Sequence, residues 1–172
     1  GLVYPYQAIK QFYGYSTSQT LDGSTWIAQT HPDDYATIQY INNTISGRPV
    51  IIEAVGDSYT EFGRISVFTG LPTPMGWKTH EWTWRLQKPA PGAESSETGW
   101  SAVAQVAGTI EQIYATADPE IAKRFLSTYN AEYVYVGSME RTAYPQLQLQ
   151  KFYILGTPIF QSGQSILFRI EP

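Results

Sequence analysis

Between Thr30 and Pro49 the chain reads THPDDYATIQYINNTISGRP, and Tyr35, Ile38, Ile41 and Ile45 recur at the spacing that gathers side chains on one face of a helix. Asp33 or Thr30 can cap its start, and Gly47 with Pro49 stops it. PVIIEAV follows at once, a short unbroken apolar run of the kind seen in a strand covered on both faces. A second helix is predicted behind Asp118 as N-cap, with Pro119 in the first helical position, where its missing N–H leaves no bond unmade. Ile121, Ala122, Phe125, Leu126 and Tyr129 form its apolar face, and Asn130 suits a left-handed residue at its end. EYVYVG is then a second strand of large and β-branched residues, whose Gly137 permits a tight exit. The run TPIFQSGQSILFRIEP reads as a hairpin, two apolar stretches around Gln161 to Gln164 with Gly163 supplying the turn.

The rest of the pattern is broken. Gly56, Gly63, Gly70, Pro72, Pro74 and Gly76 punctuate the stretch after the first strand, which predicts an irregular, loop-rich segment, and function often lives on such loops. KPAPGAESSET, residues 88–98, is the most polar and breaker-rich run and is expected to be a surface loop inside one domain spanning 1–172. No internal repeat is evident. Helix, strand, loops, helix, strand and hairpin together predict an α/β fold: a mainly parallel central sheet flanked by helices, a Rossmann-like layered sandwich, with a C-terminal antiparallel hairpin.

Composition adds a setting. Charged residues make up only 15% of the chain, against about 25% in typical domains, while aromatic residues also reach 15%. Hydroxyl, amide and aromatic groups must therefore cover much of the surface, a balance that suits an extracytoplasmic protein. The formal charge of −4, without any run of Lys or Arg, argues against nucleic acid as a partner and against strong attraction to anionic lipid. The absence of cysteine excludes disulfides and thiolate metal sites. No stretch approaches the roughly 20 apolar residues that span a bilayer, and the start, GLVYPYQAIKQFYGY, lacks the basic and apolar regions of a signal peptide. Beginning without Met inside an aromatic segment, the chain reads as a piece of something longer.

Three groups of residues could carry chemistry. The loop after the first strand offers Glu53, Asp57, Ser58, Tyr59, Thr60 and Arg64, at the carboxyl end of the sheet, where open α/β proteins usually hold ligands. It lacks the glycine spacing or lysine of a phosphate cradle. Glu53, at the end of an apolar strand, is costly to bury unpaired and needs an Arg, a His or several N–H donors, with Arg64 and Arg85 the candidates. The second group is HEWTWR, residues 80–85. Its metal reading is weak, because His80 and Glu81 are adjacent and His31 is far away. It can also be read as an acid/base pair, as an aromatic sugar platform with Trp82 or Trp84 stacking beside Arg85 and Glu81, or as a half-buried strand with an internal ion pair. The third group, Glu140 and Arg141, directly follows the second strand, and Arg141 is expected to face Glu53, Tyr59 or HEWTWR. Asn42 to Thr44 matches a glycosylation sequon.

Taken together, TLDGSTWIAQTHPDDYATIQYIN, PVIIEAVGDSYTEFGRISVFTGLPTPMGWKTHEWTWR, IYATADPEIAKRFLSTYNAEYVYVGSMERTAYP and LQKF resemble the C-terminal portion of the "YYY" family of bacterial and archaeal multi-pass membrane proteins. These are predicted relatives of the membrane-embedded, GT-C type glycosyltransferases that use lipid-linked sugars. Residues matching the family pattern include Glu53, Ser58, Tyr59, Arg64, Trp77, His80, Glu81, Trp84, Arg85, Glu140 and Arg141, which become the ligand-binding candidates. Where the family tends to carry an arginine and an aspartate ahead of the IY pair, this chain has Val106 and Thr109.

The resemblance implies a domain that follows the last transmembrane helix on the extracytoplasmic face, with the transmembrane part of the same polypeptide as its partner. Catalytic carboxylates of such enzymes sit on loops of that transmembrane part, so this domain is expected to turn nothing over by itself, and no cofactor or metal is implied. Two functions follow. One is to bind or orient a glycan acceptor or a polyprenyl-linked sugar donor. The other is a structural or assembly module that docks on its own membrane domain, its charged cluster only locking loops together. An independent hydrolase using Glu53 and Glu81 would need carboxyl groups roughly 5 to 9.5 Å apart across an open cleft.

Overall fold

A computed structural model describes residues 1–13, 22–84 and 95–171. Helices α1 (Val3–Tyr13), α2 (Thr25–Thr30) and α3 (Pro32–Thr44) precede strand β1 (Val50–Ile52). Helix α3 is the one the Ile38/Ile41 spacing predicts, but its N-cap is His31 with Pro32 behind it. Asp33, expected as a cap, instead accepts from Ser162 Oγ at 3.2 Å and Gln164 N at 3.4 Å, fastening the helix start to the terminal hairpin. Strand β1 is shorter than its apolar run for a visible reason. The N–H groups of Ala54 and Val55 go to Glu140 Oε1 (2.9 Å) and the Tyr144 hydroxyl (3.2 Å), so the chain leaves the ladder after Ile52.

The loop-rich segment after β1 holds no long element but does contain the short α4 (Arg64–Thr69), bounded by Gly63 and Gly70, both with left-handed backbone (φ +79° and +71°). The glycines thus delimit a short helix. HEWTWR contributes to a helix as well: α5 (Lys78–Trp84), not a half-buried strand. Helix α6 (Ser95–Ala115) takes in residues 95–98 of the expected surface loop, and 88–94 lie outside the described residues.

Helix α7 (Pro119–Thr128) starts as predicted, Asp118 Oδ1 accepting from Glu120 N at 2.9 Å. Removing that acceptor leaves a helix-end donor unpaired, and Asp118→Ala is expected to lower stability by about 1 kcal/mol in urea unfolding. After β2 (Ala131–Val136) come α8 (Ser138–Ala143), α9 (Gln150–Leu155) and the hairpin β3 (Gly156–Ser162) and β4 (Ser165–Ile170).

The four-stranded sheet has the order β1-β2-β4-β3. Only β1 and β2 run parallel, while β2/β4 and β4/β3 are antiparallel, so the sheet is mixed and not mainly parallel. The reason is local. A helical crossover separates β1 from β2, which permits a parallel pair. A tight turn joins β3 to β4, which enforces an antiparallel one, and the hairpin adds through β4 to β2. Alternation along the strands divides the core between two faces. Ile51, Tyr133, Tyr135 and Leu167 pack with Ile38, Ile41 and Ile65, whereas Ile52, Val134, Val136 and Phe168 pack with Ile110, Ile113, Leu126 and Phe152. The structure is therefore mixed α/β with helices flanking the sheet. No helix among the described residues is long and apolar enough to cross a membrane.

Candidate functional site

The loops after β1 and β2 meet, as parallel pairing requires, and their meeting point is a buried polar cluster. Glu53, fully buried, accepts from Ile65 N (3.0 Å) and Ser66 N (2.9 Å) in the first turn of α4. Glu140, also fully buried, accepts from Ala54 N and from Gly137 N, each at 2.9 Å, and so ties the end of β1 to the end of β2. Arg64 lies between the carboxylates: Nε donates to Asp34 Oδ2 at 2.6 Å, and Nη2 is 3.9 Å from Glu140 Oε2. Asp34 accepts further from the Tyr135 hydroxyl and from Ser165 Oγ at 3.2 Å. The cluster reaches solvent through His31, whose Nδ1 is 3.8 Å from Asp34 and whose Nε2 is 2.8 Å from Glu61.

Burial dominates the electrostatics here. It pushes the Glu53 carboxyl up to about 7, against the lowering effect of the donors on Ser66 and Ile65, with Glu140 adding to the rise. Glu140 is raised for the same reason, partly offset by Arg64. Burial alone would lower Arg64, but Glu140 and Asp34 more than compensate and hold it charged. A carboxylate bonded to two backbone N–H groups and buried under a helix has no free face for substrate, so Glu53 cannot serve an open hydrolytic cleft. The cluster's chemistry is internal: it joins α3, α4, α8 and the ends of three strands.

A second arrangement points outward. His80 and Trp84 lie four residues apart on α5, and Trp77, directly before the helix, continues the helical spacing. Tyr59 leans over the first two, its ring 5.6 Å from Trp77 and 5.5 Å from His80, which are themselves 5.3 Å apart edge to face. Tyr59 is 85% exposed and Trp84 83%, unusual values for large rings. Tyr59 also holds φ at +61°, a left-handed conformation that costs a non-glycine residue about 1 kcal/mol. The shelf is anchored from behind. Trp77 Nε1 donates to Phe62 O at 2.7 Å, Ser58 bonds Thr79 through their hydroxyls, and Trp82, on the opposite side of α5, stacks on Trp100 of α6.

The sequence candidates thus divide into two sets. Glu53, Arg64 and Glu140 converge but face inward. Tyr59, Trp77, His80 and Trp84 converge or align and face outward, with Ser58 in their support. Glu81 is half-buried on α5. Arg141 does not face Glu53, Tyr59 or α5: its Nη2 donates to Gln164 O at 3.1 Å, clasping α8 to the hairpin. Arg85 lies outside the described residues, and the partner of Glu53 is a pair of backbone donors. Asp34, Tyr135, Ser165 and the His31–Glu61 pair were missed by sequence reasoning. Asp34 could have been found, because it stands four and seven residues before Ile38 and Ile41, on the helix's apolar face.

Fold and site define a mixed α/β domain with a locked polar centre and an exposed aromatic shelf. Comparison with protein-family models, with curated proteins and with solved structures finds no match to this chain.

Proposed function

We propose that this chain is an extracytoplasmic domain of a polytopic membrane glycosyltransferase that uses a lipid-linked sugar. Its task is to hold a glycan acceptor, or the sugar head of the donor, on the shelf of Tyr59, Trp77, His80 and Trp84. The observation that carries the reading is that shelf. Aromatic faces present the apolar surface on which the C–H face of a pyranose stacks, and a strained Tyr59 is expected where geometry serves binding. The charged residues of the signature then act behind the shelf, fixing the loops that position it. Helices on both faces of the sheet and loops gathered at the carboxyl ends of β1 and β2 support a Rossmann-like layering used in this way.

The assembly-module reading has one observation in its favour. Leu2, Val3, Tyr4, Tyr6 and Ile9 of the first helical segment are each at least 60% exposed, an apolar surface suited to packing against a membrane domain. Titration of the chain with neutral oligosaccharides, followed by amide shifts, separates the two. Binding centred on residues 57–60 and 77–84, weakened roughly tenfold by Tyr59→Ala or Trp84→Ala, is expected. Absence of any glycan binding, with Tyr59→Ala lowering only the level of the full-length protein, would leave the assembly role.

A further inference from the structure

At the opposite end of the sheet from the carboxylate cluster, two adjoining clefts of about 800 and about 510 Å³ share Glu132 and Arg169 in their walls. They lie where β1 and β2 begin and β4 ends. The smaller is a polar lobe walled by the loop from Thr44 to Pro49, with Arg48 and the left-handed Gly47 (φ +82°) in it. The larger reaches α7, and the buried Leu126 of that helix and Ile170 of β4 supply an apolar wall. A volume of this size lies within the range of small-molecule sites.

We infer that this groove binds a small amphipathic anion, a phosphate monoester whose head sits with Arg48 and Arg169 and whose apolar body lies toward Leu126 and Ile170. Among the described residues neither guanidinium makes an ion pair or a side-chain hydrogen bond, although acidic side chains outnumber basic ones in the chain. Two arginines free in one cleft offer the forked donors that match the oxygens of a phosphate. The larger cleft carries Glu132 and Glu171 beside Lys123 and Arg169 and so has no net excess of positive charge, which leaves the Arg48–Arg169 end as the seat of a single charged head. This site shares no residue with the aromatic shelf and stands or falls apart from it.

The test uses the whole chain at constant ionic strength, with hexyl phosphate and inorganic phosphate as probes and amide shifts as the readout. Hexyl phosphate is expected to move the amides of Gly47, Glu132 and Arg169, and to bind at least about tenfold more tightly than inorganic phosphate, which leaves the apolar lobe empty. Arg169→Gln and Arg48→Gln, both at exposed positions and checked for native circular dichroism, should each weaken it roughly tenfold. Arg124→Gln, an exposed α7 arginine outside the groove, should not. The inference is overturned by any of three results: no groove amide responds, both groove variants bind within about twofold of the parent, or inorganic phosphate binds as well as hexyl phosphate.

Discussion

Arg64→Ala is expected to remove about 3–5 kcal/mol of stability, against the roughly 5–15 kcal/mol that a whole domain ordinarily has. The guanidinium stands between Asp34 and Glu140, all three being almost wholly removed from solvent. Without it the buried Glu140 keeps its backbone donors but loses its counter-charge, and Asp34 is left with only the distant His31, while burying an unpaired charge is among the largest single penalties a protein meets. The loss should be smaller at pH 5 than at pH 8, because burial already raises Glu140 and Arg64 is what holds it down, so that without Arg64 Glu140 can take up a proton. Arg64→Lys restores the charge but not the fork that reaches both partners, and should recover part of the loss. Urea unfolding of the three proteins at the two pH values measures this. A loss below about 1 kcal/mol for Arg64→Ala would mean that water replaces the guanidinium and that the cluster does not hold the loops.

The second large effect is a stability that falls as the solution becomes less acidic. Glu53 keeps its proton in the folded protein up to about 7, against a reference value of 4.5. Between those two values the folded state binds more protons than the unfolded one, so rising pH favours unfolding. The stabilisation is complete below about 4.5, declines across the window and is gone above about 7; its full extent is on the order of 3 kcal/mol. Glu140 is displaced in the same direction and adds to the slope. Glu53→Gln carries no titrating group, so its unfolding free energy should vary much less between pH 5 and 7.5, with a residual slope from Glu140. The amide can still accept one of the two α4 donors but turns its own N–H toward the other, a fixed cost present at every pH. A parent protein whose stability is flat across the window, or rises, would show that the two α4 donors outweigh burial at Glu53.

The parts of the fold legible in the sequence are those where periodicity and end signals agree. Helix α3 was readable from Ile38 and Ile41, helix α7 from Asp118, Pro119 and its apolar face, and the hairpin from Gly163 between two apolar runs. Sheet topology was not, because order along the chain does not say which strand of a hairpin pairs with β2. Helix α5 was misread for a physical reason. His80, Trp82 and Trp84 alternate as a strand would, and only contact with α6, where Trp82 meets Trp100, makes the helical choice pay. At the site, the sequence placed Glu53 and Glu140 on loops at one end of the sheet, but it looked to Arg64 or Arg85 as the partner of Glu53, which is instead a pair of backbone donors, and it could not say which way these residues face. Direction depends on the backbone donors of α4, and those exist only once Gly63 has turned the chain.

The sheet order has a consequence for how the protein is made. Strand β4 follows β1, β2 and β3 in sequence, yet it lies between β2 and β3 and contributes Leu167 and Phe168 to opposite faces of the interior. The parallel pair β1 and β2 is thus complete in sequence before the strand that covers the other edge of β2. The interior therefore closes only once the β3–β4 hairpin has docked on β2, and the seat of Asp34 against Ser165 cannot form before then.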